Sequence, residues 1–379
     1  MKSLTLRTWI EIDKKAFCHN IEQFLKLIPS KTRLMAVIKS NAYGHGLSLV
    51  GAMLKKYPRA WIGVDSITEG LRIRRDDLTH SMLVLGYTLP SKIEDARAKS
   101  IAITVSQFET LRGLTRMRTR PAFHLKIDTG MHRQGFLLGD LPRVIAILKR
   151  AGLTPEGVYT HFAAAKDKKD FTYTMMQFRA FQDAVAMMKG AGFSRIITHA
   201  AASGAALLFP ETHGDMVRIG MGLYGYWPSP EAAISYHTSR MQLKPVLTWK
   251  TVVGEVKEIL KGSCIGYDST ECVRARTKIA VLPIGYWHGF DRGLSSKGEA
   301  LIRGQRARVL GRVSMDMTVV DVTDIPAVRV GDAVVLIGRQ GNEAIWADEI
   351  AKKINTTAYE IITRLNPLIE RRENRPTAQ

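Results

Sequence analysis

The sequence predicts an α/β protein with an N-terminal (β/α)8 TIM-type barrel and a C-terminal, mainly β domain. In the N-terminal part, short apolar segments typical of buried strands alternate eight times with helical segments, up to about Tyr226. After about residue 235, strand-like segments follow one another, and the links between them carry Gly, Pro and Asp. We therefore assign residues 10–235 to the barrel and residues 236–379 to the β domain, which residues 1–9 are expected to join.

Length and composition are those of a folded protein with a substantial core. The chain has 379 residues, of which 45% are apolar and 24% charged, and no stretch approaches the roughly 20 apolar residues of a membrane span. The start shows no secretory signal, and the three cysteines form neither a metal-binding nor a disulfide pattern, so we expect a cytoplasmic protein without metal or membrane partner. The net charge of +20 is spread along the chain, which favours attraction of small anions over nucleic-acid binding.

The barrel elements follow from apolar periodicity and capping residues. Residues 10–12 are predicted to form a strand, and Asp13 caps a helix that presents Phe17, Ile21 and Phe24 on one face. The eight barrel strands are expected at residues 34–38, 61–64, 82–85, 101–105, 122–127, 157–161, 195–199 and 216–219. The helices between them are expected near Leu47, at 68–74, at 92–99, from Ser106, at 141–150, at 171–189 and around 204–208.

The C-terminal part reads as a succession of strands. They are expected at residues 247–259, 277–282, 299–302, 307–313, 318–322 and 333–337. A short helix is expected at residues 347–354, and residues 370–379 are predicted to be a frayed tail.

Polar residues at the carboxyl ends of the barrel strands are the candidate functional residues. These are Lys39, Lys126 with Asp128, His161, His199 and Arg218. Because the carboxyl ends of barrel strands meet at one mouth, we expect these side chains to lie together. Each alone is also consistent with a structural group, and Lys39 with a surface lysine that closes a strand.

The same mouth offers a place for a phosphate. Ser203 begins a helix after the seventh strand, and the Gly220 and Met221 amides follow the eighth, where helix ends and free amides favour anions. A desolvated lysine such as Lys39 can form a Schiff base with an aldehyde. Pyridoxal 5'-phosphate carries both an aldehyde and a phosphate, so it is the cofactor that this arrangement predicts.

The motifs that carry these residues resemble those of the alanine racemase family. In chain order they read AVIKSNAYGHG (36–46), LKIDTGMHRQGF (125–136), THFAAA (160–165), HAAASGAA (199–206), VRIGMGLYG (217–225), GYDS (266–269), PIGYWHG (283–289), GRVSMDM (311–317) and TTAYEIITR (356–364). Nine matches in order cover nearly the whole chain. The resemblance implies the same two domains and a head-to-tail homodimer with two active sites, each shared across the interface.

The resemblance also implies residue roles. Lys39 would carry the cofactor and act as one catalytic base, and Tyr267 of the partner subunit would be the other. The residues expected around the phosphate are Tyr43, Ser203, Gly220, Met221 and Tyr359. Arg218 is expected to face the pyridine nitrogen of the cofactor, and His161 is expected to bond to Arg218 and to help tune Tyr267. Those expected at the substrate and the entrance are Arg133, the Met315 amide, Lys126, Tyr286 and Asp316, Lys126 being at a position that is carbamylated in some members.

The chemistry of racemisation agrees with these roles. Removing the α-proton on one face and returning it on the other needs two bases, and the cofactor acidifies that proton by delocalising the carbanion. A guanidinium does not release its proton to a ring nitrogen, so Arg218 would weaken the electron sink and disfavour side reactions. Tyr267 needs positive surroundings to act as a base; alone, it is also consistent with a packed strand aromatic.

Some positions depart from the family pattern. Ala202 stands where asparagine is usual, Trp287-His288 replaces Ala-Asp at the entrance, and Ser314 and Met317 replace Cys and Gln. These changes leave open a preference for serine, lysine or a broad range of amino acids instead of alanine. Two further alternatives are a decarboxylase with the same barrel and a non-catalytic pyridoxal-phosphate-binding protein. Proteins of the non-catalytic kind resemble only the barrel, so the β domain with Tyr267 argues against that alternative.

Overall fold

The computed structural model describes residues 6–165, 171–237 and 241–374 and divides into two compact units. The barrel unit comprises Ala16–Ala42 and Val50–Lys244, and the β unit comprises Met1–Lys15, Tyr43–Leu49 and Pro245–Gln379. Strand β1 (Thr8–Ile12), whose last residues the sequence placed in the barrel range, belongs to the β unit because it pairs with strands of that unit.

Eight parallel strands form the barrel, as the sequence predicts. They are β2 (Arg33–Val37), β3 (Trp61–Val64), β4 (Met82–Val84), β5 (Ala102–Val105), β6 (Phe123–Asp128), β8 (Gly157–Tyr159), β9 (Ile197–His199) and β10 (Met216–Ile219), with the short β7 (Phe136–Leu137) paired to β6. The sheet order is β10-β2-β3-β4-β5-β6-β8-β9. Backbone bonds from Asp215 N to Thr198 O (2.9 Å) and from Arg218 N to Ala201 O (3.0 Å) join its two ends.

Helices alternate with these strands and cover their outer face. They are α1 (Lys14–Leu27), α2 (Lys39–Tyr43, a left-handed turn), α3 (Leu47–Leu54), α4 (Ile67–Arg75), α5 (Ile93–Ala98), α6 (Phe108–Thr115), α7 (Leu141–Arg150), α8 (Thr172–Gly190), α9 (Ser203–Leu208) and α10 (Pro230–His237). Strands β3, β4 and β5 are buried along their whole length, which is typical of a parallel sheet enclosed on both faces. None of the helices in the described ranges combines the length and the apolar character needed to cross a membrane.

The β unit is built on one long sheet. Its strands are β1, β11 (Leu247–Val252), β12 (Glu255–Ile259), β13 (Thr277–Leu282), β14 (Glu299–Ile302), β15 (Gln305–Leu310), β16 (Thr318–Asp321), β17 (Ala333–Gln340), β18 (Glu343–Ile345) and β19 (Arg371–Glu373). The order is β12-β13-β16-β15-β14-β17-β11-β1-β19, with β18 paired to β17. Two short helices, α11 (Ala347–Lys353) and α12 (Ala358–Thr363), precede the last strand.

Two strand predictions for this unit are wrong. The single strand expected at 247–259 is two strands. Strand β11 ends at Val252, and Val253 N donates to Asp332 O (2.9 Å) before β12 begins at Glu255. The expected frayed tail contains β19, which pairs in parallel with β1. Arg371 anchors this strand by donating to four backbone carbonyls, including Gly44 O (3.0 Å) and Ile369 O (2.6 Å); residues 375–379 lie outside the described part of the chain.

The expectation that no cysteines pair is also wrong, because Cys264 and Cys272 form a disulfide. The chain folds back on itself between them, with Ile265 N donating to Glu271 O at 2.9 Å. The Glu271 carboxylate accepts bonds from Ser296 Oγ (2.6 Å) and Gly311 N (2.7 Å), which hold the base of the loop. The disulfide therefore closes the short loop that carries Tyr267.

The disulfide predicts a definite thiol count. In protein purified without reductant and then unfolded, one thiol per chain, that of Cys18, should react with a thiol reagent. All three cysteines should react after reduction. Mass spectrometry of the alkylated chain measures both counts, and a Cys18→Ser control should give none before reduction and two after. Three reactive thiols before reduction would show that the bond is absent.

Candidate active site

Lys39 stands at the carboxyl end of β2 on a strained turn. The next three residues, Ser40, Asn41 and Ala42, have φ angles of 55°, 55° and 54°. Non-glycine residues in this left-handed region cost roughly 1–2 kcal/mol each, and such strain persists only where surrounding bonds enforce it. One of these bonds is local, from Ala42 N to Ile38 O at 2.8 Å.

A second support for this turn comes from Glu69, at the start of α4. Its carboxylate accepts bonds from Asn41 N (3.1 Å) and from Asp65 N (2.9 Å), while its own amide donates to the helix-capping Ser66 Oγ (3.3 Å). Glu69 therefore fixes the lysine turn and the loop after β3 together. Asp65 Oδ1 lies 3.5 Å from Lys39 Nζ, but both side chains are exposed, so this ion pair stabilises little.

Glu69 and Asp65 were not predicted as site residues. The sequence Ser66-x-x-Glu69 has the form of a capping box, and that signal could have marked Glu69 as a helix start. Its bond to Asn41 joins residues 28 apart in the chain, which no local pattern reveals.

The predicted phosphate residues of the barrel unit lie on the strand end next to Lys39. Strand β10 pairs with β2 in parallel, with Ile219 opposite Ala36, so the Gly220–Met221 backbone and Lys39 leave neighbouring strands at the same end. Gly220 N donates to Ser203 Oγ at 3.0 Å. The Gly220 amide is therefore engaged, and the Ser203 O–H stays available to donate to an anion. Met221 opens a 3-10 turn, whose first N–H groups have no acceptor within the turn.

Arg218 is buried in the barrel interior, with 3% of its surface exposed. Its Nη1 donates to His199 Nδ1 (2.9 Å) and His199 O (3.0 Å), and its Nη2 donates to Thr160 O (2.7 Å), Ala200 O (2.8 Å) and His161 Nδ1 (3.2 Å). Within the part of the chain that the structure describes, these acceptors are all uncharged. Burial lowers the pKa of Arg218 to about 10, so the group remains a cation at neutral pH.

Burial and nearby positive charges, including that of Arg218, lower the pKa values of the neighbouring side chains. Burial and Arg218 hold the pKa of His161 well below its usual value, so this imidazole is neutral. Burial, followed by Arg133 and Arg218, lowers the pKa of Lys126 to about 8. Lys126 Nζ donates to Gln134 Oε1 at 3.0 Å, and about a tenth of its amine is unprotonated at pH 7.

His199 differs from the prediction that it lines the barrel mouth. It is fully buried and its ring stacks on that of Tyr159, with the ring centroids 4.7 Å apart.

Asp128 has a structural role, because its carboxylate accepts hydrogen bonds from Gly130 N (2.9 Å) and His132 N (3.0 Å). Burial raises the pKa of Asp128, but these amides outweigh it and the pKa is lowered. Asp128 thereby shapes the loop that carries the exposed Arg133.

The remaining predicted residues lie in the β unit. Tyr267 is 69% exposed on its disulfide-closed loop. Tyr286 and Met315 come from two neighbouring segments, since Tyr286 N donates to Ser314 O (3.1 Å) and Trp287 N to Met315 O (3.0 Å). A Cβ at Gly285 would lie 2.0 Å from Ser314 O, so only glycine permits this approach.

Three more predicted residues of the β unit have neighbours within it. Asp316 Oδ1 lies 4.0 Å from His288 Nδ1. The rings of Tyr43 and Tyr359 are 6.1 Å apart, centroid to centroid. The β unit thus groups the two tyrosines that were predicted to hold a phosphate.

Comparisons with known proteins match both units. The family model described as alanine racemase, N-terminal domain, matches residues 12–228, and that described as alanine racemase, C-terminal domain, matches residues 246–373. A protein named alanine racemase from Leptospira interrogans is 40% identical over 372 residues, which are 97% of this chain and 96% of the relative. A relative of the same name from Symbiobacterium thermophilum is 40% identical over 371 residues, 96% of each chain.

Solved structures are similar over the whole length. The crystal structure of alanine racemase from Bacillus anthracis with bound L-Ala-P has a TM-score of 0.90 and 34% identity, and the match covers 98% of this chain and 95% of that chain. A structure of alanine racemase from Clostridium difficile 630 has a TM-score of 0.90 and 30% identity, with 98% and 97% covered.

Replacing Glu69 by alanine tests the support of the lysine turn. The amides of Asn41 and Asp65 lose their acceptor, so we expect a loss of about 1–2 kcal/mol of local stability. Hydrogen–deuterium exchange at Asn41 should then be about tenfold faster. The control is Glu109→Ala, which removes an exposed acidic residue from the first turn of α6. Unchanged exchange at Asn41 would mean that the turn is held by other contacts.

Proposed function

Because this chain belongs to the alanine racemase family of isomerases, we propose that it interconverts L-alanine and D-alanine with pyridoxal 5'-phosphate and supplies D-alanine for peptidoglycan. The observation that carries the proposal is the placement of an amine and of phosphate donors on adjacent strand ends. Lys39 follows β2, and Ser203, Gly220 and Met221 lie where β10 ends beside it. A cytoplasmic location, and the absence of nucleic-acid and membrane partners, stay predictions from the sequence.

The residues present fit the cofactor. Lys39 supplies an amine for its aldehyde, and Ser203 and the Met221 amide supply neutral donors for its phosphate, with Tyr43 and Tyr359 as further phosphate ligands. The Gly220 amide would reach the phosphate only by sharing or releasing its bond to Ser203 Oγ. When bound, pyridoxal phosphate supplies a conjugated ring that takes up electron density from the substrate's Cα.

Arg218 would face the ring nitrogen of the cofactor. Its five hydrogen bonds fix the guanidinium in one orientation, and a guanidinium donates without releasing its proton at neutral pH. The ring nitrogen would therefore stay unprotonated. An unprotonated ring would be a weaker electron sink, which would favour return of the proton to the same carbon over side reactions.

Two bases would act on opposite faces of the substrate. Lys39 Nζ would hold or release a proton on one face, and Tyr267 of the partner subunit on the other. The exposure of Tyr267, together with that of Tyr286, Trp287, Met315 and Met317 in the same unit, supports association with a second copy, because exposed apolar groups of this kind mark interfaces. We therefore propose a homodimer whose active sites are shared.

The substrate carboxylate would be bound by Arg133 and the Met315 amide. Lys126 lies near enough to Arg133 for the two positive charges to interact, which contributes to its pKa of about 8. A neutral amine is the form that reacts with carbon dioxide, so the lowered pKa favours carbamylation of Lys126. The carbamate would be an anion that orients Arg133. Tyr286 and Asp316 would line the entrance.

The two-base proposal is tested by Tyr267→Phe in D2O. Removing one base should lower kcat for racemisation by about 10²–10⁴-fold, while the variant still exchanges the α-hydrogen of one enantiomer and not of the other. Proton NMR of L-alanine and D-alanine measures this exchange. Lys39→Ala should lose the bound cofactor's absorption as well as activity, and Tyr87→Phe, an exposed tyrosine of the barrel unit, serves as the control. Equal exchange from both enantiomers would contradict the two-base mechanism.

Substrate preference is tested by kcat/KM for L-alanine, L-serine and L-lysine. We expect alanine to be the best of the three, with release of the enantiomer and no carbon dioxide. If alanine is the poorest, the chain is a racemase of the same family for another amino acid. Release of carbon dioxide would instead indicate a decarboxylase.

A further inference from the structure

Two buried histidines, His199 and His124, extend the hydrogen bonds of Arg218 further through the barrel interior. His199 Nε2 lies 2.8 Å from His124 Nδ1, and His124 Nε2 lies 3.4 Å from Glu156 Oε2. Both histidines have no exposed surface, whereas the Glu156 side chain is partly exposed. Glu156 directly precedes β8, so this line of contacts connects Arg218 with the amino-terminal end of the barrel.

The direction of every bond in this line follows from the chemistry of its members. Arginine only donates, so His199 Nδ1 must accept from Arg218. A neutral His199 then carries its proton on Nε2 and donates to His124 Nδ1. His124 in turn carries its proton on Nε2, which faces the Glu156 carboxylate. This assignment gives each ring one tautomer, and it aims the His124 Nε2–H at the Glu156 carboxylate without completing a hydrogen bond there.

The pKa shifts of the two histidines agree with these tautomers, which require both rings to be neutral. Burial, followed by the charge of Arg218, holds the pKa of His199 well below its usual value. Burial also lowers the pKa of His124, although Glu156 acts in the opposite direction. Both rings are therefore neutral at physiological pH, as the bonding requires. The 3.4 Å contact with Glu156 is long for a hydrogen bond, so Glu156 acts mainly through its charge.

Packing holds the His124 ring in place. A Cβ at Gly157 would lie 2.4 Å from His124 Nδ1 and 2.6 Å from its Cε1, so the ring occupies space that only glycine leaves free. Trp61 meets the ring edge-on at a centroid distance of 5.5 Å. His199 is held in turn by stacking on Tyr159, whose hydroxyl lies 2.8 Å from Thr104 Oγ1.

We propose that His124 is a positioning residue for Arg218, and that Glu156 orients His124. His124 supplies the acceptor that keeps the His199 proton on Nε2, which leaves Nδ1 free to accept from Arg218. Without that acceptor, the buried Nε2–H has no partner and the other tautomer is favoured. An Nδ1–H would then face an Arg218 N–H, two donors would oppose each other, and the guanidinium would move. The consequence for the cofactor rests on the proposed function; the tautomer itself does not.

The experiment compares His124→Phe with His124→Gln in the full chain, each with and without pyridoxal phosphate. Nitrogen-15 NMR of labelled histidine reports the His199 tautomer, and the resonance is assigned from its loss in a His199→Gln protein. Phenylalanine keeps a ring without an acceptor, so we expect His199 to change to Nδ1–H or to a mixture. The dissociation constant of the cofactor should rise about tenfold or more, and its absorption maximum should shift. Glutamine offers an acceptor oxygen and should restore the wild-type tautomer and spectrum.

Two further variants keep the test decisive if His124→Phe does not fold. Glu156→Ala removes a partly exposed carboxylate, and we expect a mixed His199 tautomer with a smaller rise in the cofactor's dissociation constant. His80→Phe removes another buried histidine of the barrel unit, which bonds to the carbonyls of Leu54 and Tyr57, and should leave His199 and the spectrum unchanged.

An unaltered His199 tautomer in both His124→Phe and Glu156→Ala would overturn the inference, even if the wild-type protein racemises alanine. If the tautomer changes as expected while the wild-type protein has no racemase activity, the positioning of Arg218 stands and the proposed function fails.

Discussion

The interior of the barrel depends on one buried charge, the guanidinium of Arg218. Burying a cation without a partner costs several kcal/mol, and here the cost is met by hydrogen bonds to uncharged acceptors and by the face of Tyr159, 5.2 Å from the guanidinium carbon. The acceptors come from Thr160 and His161 after β8 and from His199 and Ala200 at the end of β9. The same bonds therefore join three strand ends, so the closure of the barrel and the burial of the charge are linked.

This charge also explains the electrostatics of the mouth. Burial lowers the pKa of Lys126 and of His161 most, and the nearby charges of Arg218, Arg133 and Lys39 lower both further. A cluster of cations with neutral imidazoles attracts anions, and both the phosphate and the carboxylate of the proposed ligands are anions. The net charge of +20 thus has a local counterpart at the strand ends, and nucleic acid is not needed to explain it.

The sequence predicted what depends on local periodicity and missed what depends on distant pairing. All eight barrel strands were predicted because each is a short apolar segment with turn residues around it. The pairing of Cys264 with Cys272, the strand at Arg371–Glu373 and the reach of Glu69 to Asn41 were missed, since each needs a fold-back or a partner far along the chain. The position of His199 at a strand end was predicted, but its side chain was expected at the barrel mouth and is instead fully buried. The end of a strand does not determine which way a side chain points.

The lysine turn shows why local preference failed at the site itself. Ser40 and Ala42 have no intrinsic preference for the left-handed region that they occupy, and Asn41 would adopt it only as a single residue. A sequence pattern alone therefore predicts an ordinary loop or the start of a helix. The conformation exists because Glu69 binds Asn41 from the neighbouring helix and because Ile38 O accepts from Ala42. Strain of this kind concentrates where a side chain must be aimed in a direction that a relaxed backbone would not give. The conflict between sequence preference and structure therefore lies directly after Lys39, the residue to which the proposed chemistry assigns the cofactor.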